Sequence, residues 1–551
     1  MRISSFDIFD TCIVRKCGEP RNLFDVLSYR VFREEVAIEH RIEFITRRLA
    51  ADDSATFEHL YDTFCYKHPL LWEKKCLMQM ELECEREMMV PVSAMLKKVN
   101  QCRNNGDTII FISDMYLPTA FLKSALSEFG FLKETDSIYV SGDWGHTKKE
   151  GTLYQLIKDK EQIDYVNWHH YGDNPVSDVQ IPSKLGITTH AIQYSYLPYE
   201  KKWKDYGTNL THHTGDIMAG IGRGISLSIA DHPHNAFAID IAAPLLATFA
   251  TRIMCDAAKR GIKRLFFCSR DCYALFHVAK KLEKVISGVS VQYFYTSRKA
   301  LYNSTEEDTI SYLKHVGIAQ NEERTGIVDM RSTGKSLCYI NKLLEKFGFG
   351  SVYGYYFEMY CSNYFTDEMP PYYCEINRLY CGLLSHHHPI FETFLSLCPD
   401  RSTIGYKNNL PVFASQSKDD YAIDGIETLS RINLSIIEQY TNCFIETGLY
   451  RRSTEMFYMF IIPTIKNFFA SPTKDYLLTL PNFYLLQDDG SYIPYVEKKK
   501  YNIAYYVALI TKTSNIRVIR RFMKLIMRIT HITPIRDNEW WPEGTEAYNN
   551  H

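Results

Sequence analysis

The chain has 551 residues, more than one hydrophobic core usually serves, so two or three domains are expected. Its 63 Lys and Arg residues nearly balance 65 Asp and Glu residues, and the net charge of -2 argues against a nucleic-acid-binding protein that acts through the charge of a whole domain. Fifteen cysteines lack paired spacings such as C-x-x-C, and no apolar leader precedes the first strand pattern, so a cytoplasmic protein with reduced thiols is expected. No uninterrupted apolar run reaches the roughly 18 residues of a membrane span.

The first 200 residues alternate strand and helix patterns around a helical insert. Residues 1–12 predict a strand and a turn, and residues 22–100 have helical spacing of apolar residues throughout. Strand patterns resume with "DTIIFISD", "DSIYVSG" and "VNWHHYGDN", each followed by a helical pattern. This alternation predicts an α/β domain with a parallel sheet over residues 1–198, carrying a helical cap over about residues 13–104.

A second α/β series follows over residues 199–420. Strand patterns at "RLFFCS", "VQYFYTS", "RTGIVDM" and "SVYGYYFEM" alternate with helical patterns at 236–260, 272–284 and 335–346. Residues 421–551 are predicted to be a mainly helical C-terminal region, interrupted by "LTLPNFYLLQDDGSYIP". We therefore expect two α/β domains and a C-terminal helical part.

Polar groups follow several strands of the first series at the point where each strand ends. They are Asp7 in "FDIFDT", Ser113 in "FISDMYLP", Lys148 and Lys149 in "HTKKEGTLY", and Asp173 and Asp178 in "YGDNPVSD". Ligands of open parallel sheets bind outside the carboxyl ends of the strands. A carboxylate nucleophile, a hydroxyl and a lysine for phosphate oxygens, and further carboxylates for Mg²⁺ together indicate phosphoryl transfer to an aspartate.

These stretches resemble the four motifs of the haloacid dehalogenase (HAD) superfamily of phosphatases over roughly residues 1–195. The resemblance implies a Rossmann-like sheet in which Asp7 is the nucleophile, Thr11 takes the usual hydroxyl position and Ser113 serves the second motif. Lys148 fits the third motif better than Lys149, because the family places an aromatic residue six positions later, where Tyr154 stands. The implied Mg²⁺ ligands are Asp7, the backbone carbonyl of Phe9, Asp173 and Asp178.

The sequence departs from the family pattern at Phe9. The family has its usual general acid two residues after the nucleophile, and in this sequence that position is Phe9. Asp10 is the candidate replacement, provided that the turn is remodelled. Three interpretations stay open: an active phosphatase with an altered acid, a slow phosphatase, and a binding relic.

The stretch "RTGIVDMRSTGKSLCYI" runs from a strand through a loop of small residues into a helix. Small residues let backbone N–H groups close around a phosphate at a helix N-terminus. The loop is not the P-loop of nucleoside triphosphatases, because that motif needs a glycine where Asp329 stands. The candidate phosphate-binding residues are Asp329, Ser332, Thr333, Gly334, Lys335 and Ser336.

The stretch resembles the phosphoribosyltransferase loop, with Asp329 in the second acidic position, set against the ribose hydroxyls, and Val328 in place of the first acid. The resemblance covers roughly residues 235–365. It implies a pyrophosphate loop at Arg270 and Asp271, and basic residues facing the substrate at Arg298 and Lys299. A phosphate-binding α/β domain of another kind is the alternative.

Two further features have less specific patterns. His386, His387 and His388 precede Glu392 and could bind an acceptor or a metal, although three adjacent histidines cannot all face one site. The basic amphipathic stretch 516–529 suits either peripheral contact with an anionic membrane or packing on its own domain.

The two modules together resemble bimodular ribofuranosyltransferases of bacterial capsule and O-antigen assembly. The implied function is transfer of a 5-phosphoribosyl group from 5-phosphoribosyl 1-pyrophosphate (PRPP) to a glycan acceptor, either free or lipid-linked, followed by Mg²⁺-dependent removal of the 5-phosphate. The cytoplasm, including the inner face of the inner membrane, is the expected location. The alternatives are a sugar-phosphate phosphatase with a substrate-selecting C-terminal half and a non-catalytic scaffold of a polysaccharide assembly complex.

Overall fold

The computed structural model describes residues 2–32, 38–51, 56–64, 73–206, 213–359, 371–377, 393–415, 421–479, 482–486 and 492–494. The chain forms two compact units built from interleaved segments. The first comprises Met1–Asn235, Ala242–Thr248 and Ile436–Phe460, and the second comprises Ala236–Ile241, Phe249–Ser435 and Ile461–His551. The first unit thus includes residues beyond the segment 1–198 predicted as its domain.

Among its described residues the first unit has seven strands: β1 Ile3–Asp7, β2 Ile13–Arg15, β3 Met89–Pro91, β4 Thr108–Ser113, β5 Ser137–Val140, β6 Trp168–Gly172 and β7 Thr188–Ala191. Five of them form a parallel sheet in the order β5-β4-β1-β6-β7. Strand β4, with the sequence "TIIFIS", is apolar, branched and buried on both faces. The predicted parallel α/β sheet is confirmed.

In the part of the chain that the structure describes, eleven helices accompany these strands: α1 Asn22–Phe32, α2 Ile38–Leu49, α3 Phe57–Thr63, α4 Lys74–Met88, α5 Ser93–Asn104, α6 Thr119–Glu128, α7 Ser141–Trp144, α8 Thr152–Glu161, α9 Ile181–Leu185, α10 Pro198–Tyr206 and α11 Thr214–Ser228. Helices α1–α4 form the predicted helical insert. The expectation of helix throughout residues 22–100 was wrong at β3, which pairs antiparallel with β2. Pairing of the branched Val90 with Val14 overrides the surrounding helical pattern.

Two buried arginine–glutamate pairs hold α4 in place. Arg15 Nε donates to Glu85 Oε1 at 2.7 Å, and Arg48 Nε donates to Glu81 Oε2 at 2.8 Å. All four side chains are at most 4% exposed. Because removing one partner would leave a buried charge unpaired, these pairs fix α4 on β2 and α2.

The second unit contains another five-stranded parallel sheet, in the order β12-β11-β10-β8-β9. Its strands are β8 Arg264–Cys268, β9 Ser290–Phe294, β10 Thr325–Ser332, β11 Tyr353–Met359 and β12 Tyr372–Asn377. The short pair β13 Thr403–Lys407 and β14 Leu410–Phe413 is antiparallel. The second predicted α/β series is therefore present as a parallel sheet.

The accompanying helices are α12 Asn235–Phe237, α13 Ala243–Lys259, α14 Tyr273–Leu282, α15 Arg298–Asn303, α16 Glu306–Val316 and α17 Lys335–Lys346. The helical stretch Asn235–Lys259 is long and apolar enough to cross a membrane, with a mean hydropathy of 1.5, but 94% of its apolar window is buried inside the protein. A helix that is apolar on all sides suits a core as well as a membrane.

The described part of the C-terminal region is mainly helical, as predicted, with helices Ile426–Glu446, Ser453–Met456 and Ile462–Ala470. Three short strands, Tyr421–Ile423, Phe483–Leu486 and Tyr492–Pro494, form a small antiparallel sheet. The predicted basic helix at 516–529 and the histidine cluster at 386–388 lie outside the described residues.

Candidate functional site

The predicted groups of the first unit gather at the carboxyl edge of its sheet. Asp7 is the last residue of β1 and is in register with Ile112 on β4, and the buried Ser113 ends β4 one position further. Asp173 directly follows β6, and Lys148 stands in the loop before α8. Parallel strands bring these ends together because their carboxyl ends share one edge.

Lys148 is the central cation of this cluster. Its Nζ donates to Asp7 Oδ1 at 2.5 Å and to Asp178 Oδ1 at 2.6 Å, and its side chain is 3% exposed. The neighbouring Lys149 is exposed. The loop is held by Asp114, whose carboxylate accepts the backbone N–H groups of Lys148 and Lys149 at 2.8 and 3.2 Å. Lys148, rather than Lys149, is therefore the lysine that reaches the candidate nucleophile.

Asp178 is fixed from three directions. It accepts hydrogen bonds from Lys148, from Asn174 N at 3.0 Å and from His170 Nε2 at 3.1 Å. The indole N–H of Trp168 donates to Ser5 Oγ at 2.6 Å, which leaves the Ser5 hydroxyl hydrogen for His170 Nδ1 at 2.7 Å. His170 is therefore assigned as neutral with its proton on Nε2, in line with the burial that lowers its pKa.

The carboxylates of the cluster repel one another. Burial, together with the charges of Asp178 and Asp173, raises the pKa of Asp7 to about 8 despite Lys148. Burial, followed by the charges of Asp10 and Asp178, raises the pKa of Asp173 to about 6. The pKa of Lys148 is also raised, because Asp7 and Asp178 outweigh the effect of its burial. The cluster thus has more negative charge than Lys148 balances.

The arrangement fits a divalent cation. Asp7, Asp173 and Asp178 each offer a carboxylate oxygen, and these oxygens all lie within 4.8 Å of one another. Asp173 is the most exposed of the three. Hard carboxylate oxygens are the ligands that Mg²⁺ prefers, and a divalent cation would offset their mutual repulsion.

The turn after Asp7 contains Phe9, Asp10 and Thr11. The Arg15 guanidinium carbon lies 3.9 Å from the centroid of the Phe9 ring. Asp10 has a left-handed backbone with φ of 56°, and its Oδ1 accepts a hydrogen bond from Arg223 at 3.1 Å. The Thr11 hydroxyl is buried and has no hydrogen-bond partner among the described residues. The roles predicted for these three residues stay predictions.

The second unit contains a cavity of about 1060 Å³ at the carboxyl edge of its sheet. Nine of the ten residues predicted to hold PRPP line it: Arg270, Asp271, Arg298, Lys299, Asp329, Ser332, Thr333, Lys335 and Ser336. The tenth, Gly334, lies directly before α17 with φ of 80°, a left-handed conformation that glycine adopts without strain. Its N–H donates to Ser332 Oγ at 3.1 Å. The structure thus brings together predicted residues from three separate segments, 270–271, 298–299 and 329–336.

Charge in the cavity is mixed. Burial, followed by the charge of Asp271, raises the pKa of Asp329 to about 8, and Arg298 opposes this shift. Arg331 also lines the cavity and forms an ion pair with Glu358 on β11, with Nε and Oε2 2.8 Å apart. Together with Arg270, Arg298, Lys299 and Lys335, it makes the cavity suitable for a polyanionic ligand. Such a ligand would also lie near the carboxyl groups of Asp271 and Asp329.

Sequence reasoning missed several residues of both sites. Asp114 directly follows Ser113 and could have been found as a second acid of that strand end. His170 stands two residues before Gly172 on β6, and alternate residues of a strand face the same side of the sheet, so strand alternation could have indicated it. Arg331 stands two residues after Asp329 on β10, and the same alternation places both on one side of the sheet. Arg223 stands in a helix far from every motif, so no local pattern indicates it.

We predict that Lys148→Met destabilises the protein, because it leaves Asp7 and Asp178 buried without their cation. Breaking a buried ion pair costs about 3 kcal/mol or more. The melting temperature should fall by several degrees in differential scanning calorimetry. Lys149→Met is the matched control, and its melting temperature should stay within about 1 °C of the unsubstituted protein. Equal effects of the two substitutions would contradict the placement of Lys148.

We also predict a pH-dependent stabilisation by Asp329→Asn. The carboxyl group of Asp329 has a higher pKa in the folded state than in the unfolded state, so the unfolded state ionises more readily. Its contribution to the stability of the folded state is therefore lost as the pH rises from about 4 through 8. The melting temperature of the variant, relative to the unsubstituted protein, should therefore increase between pH 5 and pH 8.5. The exposed Glu322→Gln serves as the control and should show no trend. A flat difference for Asp329→Asn would show that its carboxyl group is not perturbed.

Comparison with known proteins gives limited information. No protein-family model matches the sequence, and no curated protein matches it. Similar solved structures include a HAD phosphatase from Thermococcus onnurineus, with 18% identity, a TM-score of 0.27 and coverage of 35% of this chain and 86% of that chain. A HAD family enzyme from Bacteroides thetaiotaomicron has 12% identity, a TM-score of 0.27 and coverage of 38% and 99%. The HAD hydrolase YfnB from Bacillus subtilis, solved with magnesium, has 13% identity, a TM-score of 0.26 and coverage of 35% and 88%.

These neighbours are HAD-type enzymes and align with about a third of the chain. TM-scores of 0.26 and 0.27 carry no argument about the fold, substrate or reaction of this protein. The interpretation of the site depends on its own residues and distances.

Proposed function

We propose that the first unit is a phosphomonoester hydrolase and that the second unit binds a phosphoribosyl donor, so that the chain transfers a 5-phosphoribosyl group to a glycan and then removes the 5-phosphate. The observation that supports the phosphatase activity is the buried Lys148 between Asp7 and Asp178, with Asp173 alongside. The cavity lined by five basic side chains supports the binding of a phosphoribosyl donor.

The phosphatase reaction runs through a covalent intermediate. An Asp7 oxygen attacks phosphorus, the bond from phosphorus to the sugar oxygen breaks, and that oxygen takes up a proton from solvent water as the sugar leaves. Water then attacks the phosphoryl group on Asp7, which releases inorganic phosphate and restores the carboxylate. Lys148 keeps Asp7 oriented and offsets the negative charge that gathers there.

Mg²⁺ held by Asp7, Asp173 and Asp178 would supply a positive charge to the phosphoryl oxygens when bound. The protein's own contribution is the orientation of these carboxylates. Asp178 is held by Lys148, His170 and Asn174, and the buried Thr11 hydroxyl is available to a phosphoryl oxygen.

The transfer step exchanges one bond at the anomeric carbon. The bond to pyrophosphate breaks, the acceptor hydroxyl oxygen bonds to the carbon, and the hydroxyl proton passes to solvent water. In this proposal Arg270 and its basic neighbours stabilise the departing pyrophosphate, residues 332–336 hold the 5-phosphate, and Asp329 faces the ribose hydroxyls. Attack from the opposite face gives a β-ribofuranoside.

The phosphatase step is tested with ribose 5-phosphate and Mg²⁺. Asp7→Asn should reduce phosphate release on the order of 10³-fold or more, because no nucleophile remains. Lys149→Met should keep the rate within about twofold. Phosphate release that persists in Asp7→Asn would rule out the covalent mechanism. If the unsubstituted protein releases no phosphate, the result would favour the interpretation of the first unit as a binding relic.

The donor site is tested by calorimetric titration of Mg²⁺-PRPP into the full chain. Lys335→Gln should weaken binding by roughly ten- to a hundredfold, because a hydrogen bond to a charged group is lost. The control is Lys346→Gln at the exposed far end of the same helix, which should bind as the unsubstituted protein does.

Pyrophosphate release on addition of an acceptor glycan separates the transferase from a sugar-phosphate phosphatase that merely selects its substrate in the second unit. Equal donor binding by Lys335→Gln and Lys346→Gln would contradict a donor site at residues 332–336.

A further inference from the structure

The turn after the nucleophile is held by side chains that belong to none of the four motifs. Residues 8–13 close on themselves through backbone hydrogen bonds, from Cys12 N and Ile13 N to Ile8 O at 2.9 Å each and from Asp10 N to Ile13 O at 2.7 Å. From outside, Tyr194 Oη donates to Thr11 O at 2.7 Å. The conformation of the turn therefore depends on groups that follow the sheet in sequence.

Arg223 of α11 supplies the contact to Asp10. Its Nη1 donates to Asp10 Oδ1 at 3.1 Å and to Tyr196 Oη at 3.3 Å. The guanidinium carbon lies 4.9 Å from the centroid of the Tyr196 ring. The Arg223 side chain is 15% exposed and the Asp10 side chain 37% exposed, so the pair lies at the edge of the buried part of the site.

Helix α11 is placed closely enough to act as a rigid support. A Cβ atom at Gly220 would lie 2.2 Å from Gly18 N, so the helix touches the loop after β2 at a point where only glycine fits. Asn22 Nδ2 donates to Asp216 Oδ2 at 2.8 Å, and Ser93 Oγ donates to Ser228 O at 2.7 Å. The two ends of α11 are thus attached to α1 and α5.

The position of Asp10 matters for the site because it lies three residues after Asp7, in the turn that joins β1 to β2. Asp10 also has a left-handed backbone, which a non-glycine residue adopts only when its surroundings favour it.

We propose that Arg223 is a positioning residue of the phosphatase site, which fixes Asp10 and the turn between the nucleophile and β2. This inference rests on the proposed phosphatase function and deepens it, because it places α11, outside the predicted domain 1–198, in the catalytic machinery. A shift of about 1 Å in a catalytic group can cost on the order of a hundredfold in rate.

The test is a double-mutant cycle on kcat for phosphate release from ribose 5-phosphate with Mg²⁺. Arg223→Gln should lower kcat roughly tenfold or more with little change in KM, and Arg223→Lys should recover part of the loss. If Arg223 acts through Asp10, the double variant Asp10→Asn/Arg223→Gln should be no slower than Asp10→Asn alone, within about twofold.

Lys204→Gln is the matched control. Lys204 also contacts Tyr196 Oη, at 3.4 Å, but has no contact with Asp10, and its substitution should leave kcat unchanged. Calorimetric melting of every variant separates loss of folding from loss of positioning.

Two outcomes would overturn the inference: a kcat of Arg223→Gln within twofold of the unsubstituted protein, or effects of the two substitutions that multiply. A protein without phosphatase activity, or one whose activity survives Asp7→Asn, would instead mean that the proposed function itself is wrong.

Discussion

Lys148 carries a positive charge that is buried between Asp7 and Asp178, and the first unit's site depends on this contact. A charge taken out of water must be paired, and each partner here comes from a different part of the chain. The loop before α8 must therefore meet the ends of β1 and the segment after β6. Asp114 and His170 then act as supports, because they orient the loop backbone and the Asp178 carboxylate. The result is a set of carboxylates held in place before any cation is bound.

Much of this arrangement could be predicted from sequence because parallel sheets follow simple rules. Apolar branched runs such as "TIIFIS" indicate strands that are buried on both faces, and the polar residue that ends each run falls at one edge. The same rule holds in the second unit, where "RTGIVDMRS" became β10 and the following loop lines the cavity. Three separate segments, at the ends of β8, β9 and β10, meet there as the strand ends predict.

Other parts could not be predicted because they depend on contacts between distant segments. Arg223 reaches Asp10 across 213 positions of sequence, and nothing near either residue indicates the pairing. The strand β3 has only three residues and forms because β2 offers it a partner. The C-terminal segment joins the first unit through Arg452, whose Nη2 donates to Asp25 Oδ2 at 2.6 Å. Local periodicity predicts each helix but not the unit to which it belongs.

The interleaving of the two units also constrains how the chain is made. The first unit needs Ile436–Phe460, and Arg452 of that segment is paired with Asp25 near the N-terminus. During synthesis the N-terminal sheet can form early, but the Asp25 carboxylate has its arginine partner only after some 450 residues have left the ribosome. Completion of the candidate phosphatase unit therefore follows synthesis of the second sheet. A chain that stops before residue 436 would carry the motifs of the first unit but lack part of its structure.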